Sequence, residues 1–386
     1  MSIDRKKLND LAGYRNEKNP VVSLYLNVTT LRNYRSELNS LIHTTLPSLE
    51  ERYDKQQLKG LRQIFDKLEE YARTSLDKLE NTRLIVIFTD NDGFWEEFYL
   101  PVGLPSQMVV EPDPYIRPLS MLLDEFPSYC VLVCDSNKAR LFSLYMGGFE
   151  EDSEIFLKEE VPGQIRVHRS LTRSSTSVQG GLGDEGIRRH IQDHIQRHMK
   201  NVADMTLDYY KDRGFNRLIL GGLDEKGRSL LRNHLHSYLK QCLIGEFKAG
   251  TSDRTGDIRE KALKVAQDYE RRHEMDLIDS LFEEKGRNLG VFGVEPVIEA
   301  LMMGQVHTLI MENDFKKSGF ICAGDHILST YLEICPVCGQ EMDRTEDLAE
   351  EMVAEALYQN SEVEHVFAEH RDFHEYQVGA ILRFRV

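Results

Sequence analysis

Short β-branched and aromatic runs alternating with charged helical stretches predict an α/β protein of more than one domain. Two observations carry that prediction. Residues 21–28 (VVSLYLNV), 84–88 (LIVIF), 130–134 (CVLVC) and 217–222 (RLILGG) are short and rich in Val, Ile, Leu and aromatic residues, as strands are. The chain of 386 residues is longer than one hydrophobic core normally organises.

Residues 1–125 read as one α/β unit. The strand 21–28 follows Pro20, and two charge-rich helical stretches come next, the first breaking near Pro47, where the ring removes a backbone donor. The run 95–100 returns on 84–88 as a hairpin through Asn91, Asp92 and Gly93. Residues 111–118 (EPDPYIRP) form a Pro-rich exit.

A second unit, 126–286, begins near Pro127. Residues 130–134 and 139–145 flank Asp135, Ser136, Asn137 and Lys138, a hairpin signature. Cys130 and Cys134 share one strand face and read as core thiols. A Gly-rich loop and a helix closing near Gly214 lead to the strand 217–222, a helix over 226–243 and a long charged helix over 257–284.

The third unit, 287–386, predicts a helix over 296–303, a strand over 308–311, a cysteine-bearing insertion, a helix over 345–358, and strands over 362–367 and 379–384. That order argues for a small α/β sandwich.

Composition narrows the function classes. The net charge is −16, which disfavours a protein that coats nucleic acid indiscriminately, DNA included, but leaves room for one basic element. No stretch of about 18 apolar residues appears, so membrane spanning is not expected. The cysteines form no disulfide framework, and a reducing cytoplasm is the expected location.

The basic element is residues 161–200, with seven Arg and Lys against three Asp and Glu. Its first half, with Arg166, Arg169 and Arg173, has no apolar periodicity and reads as a loop. Its second half reads as a helix capped by Asp184, with Ile187, Ile191, Ile195 and Met199 as a buried stripe. Beside that stripe run His190, His194 and His198, with Arg188, Arg189, Arg197 and Lys200 nearby. The spacing lacks the glutamate of a zincin, so this polar face reads either as solvated or as lying along an RNA backbone. Gln179, Gly180 and Gly181 precede it, and they read as a loop capping the helix or as backbone donors for phosphate.

The strongest chemical signal is Cys335-Pro336-Val337-Cys338-Gly339, a turn that sets two thiolates on one ion. Cys322 and His326 add a Cys-x3-His pair, for a candidate structural zinc site of three sulfurs and one nitrogen in which His307 is the weaker choice of fourth ligand, with reduced loop cysteines as the alternative.

Several phrases carry a resemblance. CVLVCDSNKARLFSLYMGG, the QGG loop before a basic helix, RLILGG, GVEPVIEALMMGQVHTLIM, CPVCG and the closing VGAILRFRV occur in an order similar to that of the archaeal and eukaryotic class-1 peptide chain release factors. Pelota, the Vms1-like proteins and the bacterial Balon-like proteins belong to the same superfamily. The resemblance covers residues 126–386 and, more weakly, the first unit. It implies a three-domain α/β architecture: an N-terminal α/β domain (1–125), a ribonuclease-H-like central domain with a functional loop (126–286), and an L7Ae-like C-terminal domain (287–386).

It also implies a protein that enters the ribosomal A site, contacts rRNA at the peptidyl-transferase centre and, in some members, is delivered by a translational GTPase. Release-competent members carry Gly-Gly-Gln at the loop tip. Here Gln179 precedes the glycines and Leu182 stands where that glutamine would be. Occupancy of the A site in rescue or hibernation is therefore the leading expectation, with peptidyl-tRNA hydrolysis through Gln179, Gly180 and Gly181 as one alternative. A non-ribosomal interaction scaffold is another.

Overall fold

The computed structural model describes residues 3–16, 18–28, 34–74, 82–152, 157–158, 182–222, 224–322 and 324–385. The chain divides into two compact units: Met1–Phe126 together with Arg271–Val386, and Pro127–Glu270.

In the first unit, α1 (Arg5–Ala12) starts where the Asp4 side chain accepts from Lys7 N, and β1 (Val21–Asn27) follows. Helices α2 (Tyr34–Arg52) and α3 (Lys55–Thr74) lead to the strands β2 (Leu84–Thr89), β3 (Trp95–Leu100) and β4 (Gln107–Glu111). The sheet order is β3-β2-β1-β4, all antiparallel. Leu24, Leu26, Ile85 and Ile87 on one face meet Leu38, Ile42, Leu61, Ile64 and Leu68 of the two helices.

The expected break at Pro47 does not occur. Ile42 before it and Leu49 after it are both buried in the same core, and that packing carries α2 through the lost hydrogen bond. Nor is 111–118 only an exit, because α4 (Arg117–Glu125) begins inside it, with Pro118 in the first turn where its missing donor costs nothing.

The central unit holds β5 (Tyr129–Cys134), β6 (Lys138–Tyr145), β7 (Gly148–Glu151), β8 (Leu157–Lys158), α5 (Leu182–Arg213), β9 (Arg217–Gly222), α6 (Glu225–His234), α7 (Ser237–Cys242) and β10 (Leu243–Lys248). It also holds the first half of α8 (Thr255–Lys285). Its sheet runs β10-β9-β5-β6-β7, with β8 on β6. The first three strands form an antiparallel meander, β9 pairs parallel to β5, and β10 pairs parallel to β9. That is the ribonuclease-H-like strand order. Helices cover both faces: Cys130, Leu132 and Cys134 pack against α5 and α6, while Val131 and Val133 pack against Ile258, Ala262 and Ala266 of α8. Burial on both faces is why CVLVC is apolar throughout.

The single helix expected over 226–243 is two. Leu235 turns extended and is buried, His236 caps α7, and the chain then enters β10, a strand the sequence reading missed.

The C-terminal segment adds β11 (Gly290–Phe292), α9 (Val294–Met302), β12 (Val306–Glu312), β13 (Gly319–Cys322), β14 (Ile327–Ser329), β15 (Asp343–Thr345), α10 (Leu348–Tyr358), β16 (Glu362–Val366), α11 (Arg371–His374) and β17 (Val378–Leu382). Its main sheet runs β11-β17-β12-β16, and β14-β13-β15 form a separate sheet. Ile310, Val366 and Phe373 share a core with Ile278 and Leu281 of α8.

A buried polar network joins the N- and C-terminal segments of this unit. The Glu350 carboxylate accepts from the backbone N–H of Ile116 (2.6 Å) and Arg117 (2.7 Å), satisfying donors at the start of α4. Arg117 pairs with Asp347 at 3.1 Å and donates to the carbonyl of Phe315 at 2.5 Å. Among the described residues, no helix is long and apolar enough to cross a membrane.

Candidate functional site

The insertion between β12 and α10 builds its own small core from Cys322, Ile327, Cys335 and Met342, with Phe320 and Leu332 packed against it. A cluster this small is in the regime where a bound metal commonly supplies missing stability. Four donor atoms meet here: a sulfur from each of Cys322, Cys335 and Cys338, and a carboxylate oxygen of Asp325, all within 4.8 Å of one another. Cys322 Sγ is 3.6 Å from Cys338 Sγ, and Asp325 Oδ2 is 3.5 Å from Cys322 Sγ and 3.2 Å from Cys335 Sγ. Tetrahedral zinc, with Zn–S of about 2.3 Å and Zn–O of about 2.0 Å, needs edges of roughly 3.5–3.8 Å. The donor set fits such an ion after small adjustments.

The backbone prepares the turn. Gly339 N donates to Cys335 O at 2.9 Å and Val337 N to Cys335 Sγ at 3.4 Å, while Gly339 adopts φ +73°, which a β-carbon would disfavour. Asp325, hydrogen-bonded to Cys338, pushes that thiol up to about 12. The same bond and one from Cys335 hold Asp325 below the usual carboxylate range. A thiol proton is thus retained beside the carboxylate, and metal binding would release it.

His326, the expected nitrogen donor, is not among the four. Its Nδ1 lies 3.3 Å from Glu355, and its ring stacks on Tyr358 with centroids 5.5 Å apart. The residue in its place, Asp325, had a signal in the sequence: Cys322-x2-Asp325 repeats the spacing of Cys335-x2-Cys338.

The basic element is described only in part. Gln179, Gly180, Gly181, Arg166, Arg169 and Arg173 lie outside the described residues, as do the side chains of Arg188 and His190. The helix begins at Leu182, two residues ahead of the expected cap Asp184. Met199, Val202 and Ala203 are buried, with Ile195 packed beside them. Arg189, Arg197 and Lys200 are exposed, and their spacing puts them on the opposite face. Asp193 and Asp204 are exposed on that face too, so most of the segment's positive excess lies at or before Arg189.

The histidine row does not keep to one environment. His194 is half-buried, whereas His198 is fully buried with Nε2 3.8 Å from Cys134 Sγ. Burial, with the Asp135 charge adding to it, pushes the Cys134 thiol up to about 12, and burial raises Cys130 as well. Both cysteines are core groups, as their shared strand face implied.

Residues 114–267 match the family model described as bacterial archaeo-eukaryotic release factor family 10. Peptide chain release factor subunit 1 of Archaeoglobus fulgidus is 25% identical over 361 residues, 88% of this chain and 80% of the relative. The protein of the same name from Methanocaldococcus jannaschii is 24% identical over 213 residues, 53% of this chain and 47% of the relative. Among solved structures, the chain is similar to the archaeal translation termination factor aRF1 at 17% identity and a TM-score of 0.27, covering 99% of each chain. It is also similar to Dom34 of S. cerevisiae at 9% identity and a TM-score of 0.42, covering 78% of this chain and 80% of that one.

Proposed function

The chain belongs to the archaeo-eukaryotic release factor superfamily, and on that premise we propose that it is a ribosome-associated translation factor that occupies the A site in rescue or hibernation. The observation that carries this reading is the family match over residues 114–267, which contains both the QGG loop and α5. In this reading glycines let the loop backbone pass close to rRNA. Arg189, Arg197 and Lys200 then offer phosphate contacts from a face already free of the core. The family's terminal glutamine is replaced by Leu182, which favours occupancy over ester cleavage. Delivery by a translational GTPase fits the same reading.

The knuckle's part is structural. Cys322, Asp325, Cys335 and Cys338 would hold a zinc ion, which when bound supplies a rigid cross-link between the end of β13 and the Cys335–Cys338 turn.

A second reading, peptide release, is favoured by one observation: Gln179 stands directly beside Gly180 and Gly181. A side-chain amide at a glycine loop can orient water or bind a leaving oxygen.

Both readings are tested by co-sedimentation with 70S ribosomes from growing and stationary cells, with peptide release from loaded P-site tRNA followed in the same tubes. Binding without release is the expected result. Release lost in Gln179→Ala would establish the hydrolase instead, and absence of binding in both states would overturn both.

A further inference from the structure

The proposed function leaves unused three exposed apolar residues on and beside the knuckle hairpin. Tyr331 is 70% exposed, Ile334 63% and Val337 68%. Single exposed apolar residues are ordinary, but three large ones within seven positions, two on one short hairpin and Tyr331 just ahead of it, are a local concentration that suits a partner. The hairpin is held by its backbone: Ile334 bridges to Glu341, Met342 N donates to Glu333 O and Cys335 N donates to Gln340 O, each donor at 2.8 Å. Ile334 and Val337 are therefore presented on a fixed support, and Tyr331 N is held by the Ser329 hydroxyl at 3.2 Å.

Its surroundings are mainly acidic, with the exposed Lys316, Lys317 and Arg344 only at the base of the insertion. Glu333, Glu341 and Asp343 are exposed, and the chain has no Lys or Arg from residue 318 to 343. A phosphate backbone attracts cations and repels such a tip. An apolar groove edged with Lys and Arg complements it in both shape and charge.

We propose that the knuckle tip is a protein-docking element whose partner is a Lys- and Arg-rich ribosomal protein, its apolar groove receiving Tyr331, Ile334 and Val337. This rests on the ribosome-association reading and adds to it a division of labour: Arg189, Arg197 and Lys200 of α5 meet RNA, and the acidic knuckle meets protein. Tyr331 is the expected anchor, since a large amphipathic ring with few rotatable bonds carries binding energy at low entropic cost.

The test replaces Tyr331 in the full chain by the photoreactive p-benzoyl-phenylalanine, irradiates it on 70S ribosomes, and treats the products separately with ribonuclease and protease. The expected adduct survives ribonuclease, contains a ribosomal protein, and falls by at least about tenfold when Ile334→Ser is combined with Val337→Ser, or Glu333→Lys with Glu341→Lys. Circular dichroism and zinc content matching the parent show that these exposed substitutions leave the fold intact. An adduct to rRNA overturns the proposal, and so does absence of any adduct from protein that still co-sediments. Wild-type protein that does not co-sediment overturns the ribosome reading itself, and the docking partner with it.

Discussion

At the scale of single residues, the fourth knuckle ligand separates two neighbours, Asp325 and His326. Asp325→Ala is expected to lower zinc from about one ion per chain and to weaken affinity by tenfold or more, whereas His326→Ala keeps the ion; elemental analysis after gel filtration distinguishes them. The reverse pattern would sink the ligand set described above. The cysteine half of the site was legible because CPVCG is local and its spacing alone encodes the turn. Asp325 was legible only through its Cys322-x2-Asp325 spacing, a weak signal for one carboxylate among 64 acidic residues when His326 stood next to it with the more familiar chemistry. The choice between them is made by α10, where Glu355 and Tyr358 engage the imidazole.

At the scale of elements, α5 joins a buried stripe to an exposed basic row. Replacing Arg189, Arg197 and Lys200 together by Glu is expected to abolish ribosome co-sedimentation at physiological salt without changing helicity, because all three are exposed. Each single change to Ala that removes a phosphate contact should lower the salt slope by about one. Unchanged binding of the triple variant would take α5 out of the interface. The stripe at Ile195 and Met199 was readable from its period, and so were the strands CVLVC and RLILGG. Short strands such as β10 and β4 were not. Their residues are mixed in polarity, and their pairing to β9 and β1 comes from distant sequence.

At the scale of the whole molecule, the unit formed by the two ends of the chain depends on contacts that no local pattern announces: Tyr115 bonds to Asp347 across 232 positions, and Ile116 to Glu350 across 234. Arg117→Ala removes one side of a buried ion pair and is expected to cost about 3–5 kcal/mol, read by chemical denaturation. The same unit buries carboxylates without full compensation. Burial, with the Asp113 charge adding to it, raises Glu111 to about 7, and burial raises Glu350 and Glu351 well above the ordinary value. A carboxyl whose folded-state pKa is raised stabilises the fold while protonated, fully below its unfolded value, and that contribution is lost as pH rises through the folded value. Glu111→Gln should therefore match the parent's melting temperature near pH 4 and exceed it above pH 7. A difference independent of pH would show that Glu111 does not titrate in this way.

The separate sheet of the insertion has a further consequence, for how the chain tolerates editing. Gly319 and Thr345 face each other across the β13–β15 pair, so the segment leaves the polypeptide beside the point where it entered. Among the described residues none of its strands pairs with β11, β12, β16 or β17, and its side-chain cluster is distinct from theirs. Its removal behind a two-residue turn is expected to leave the host sheet its own hydrogen bonds, at the loss of the contacts of His326 with Glu355 and Tyr358 and of Thr330 with Glu295. A segment that enters and leaves at one point can change in length with little demand on the sheet that carries it.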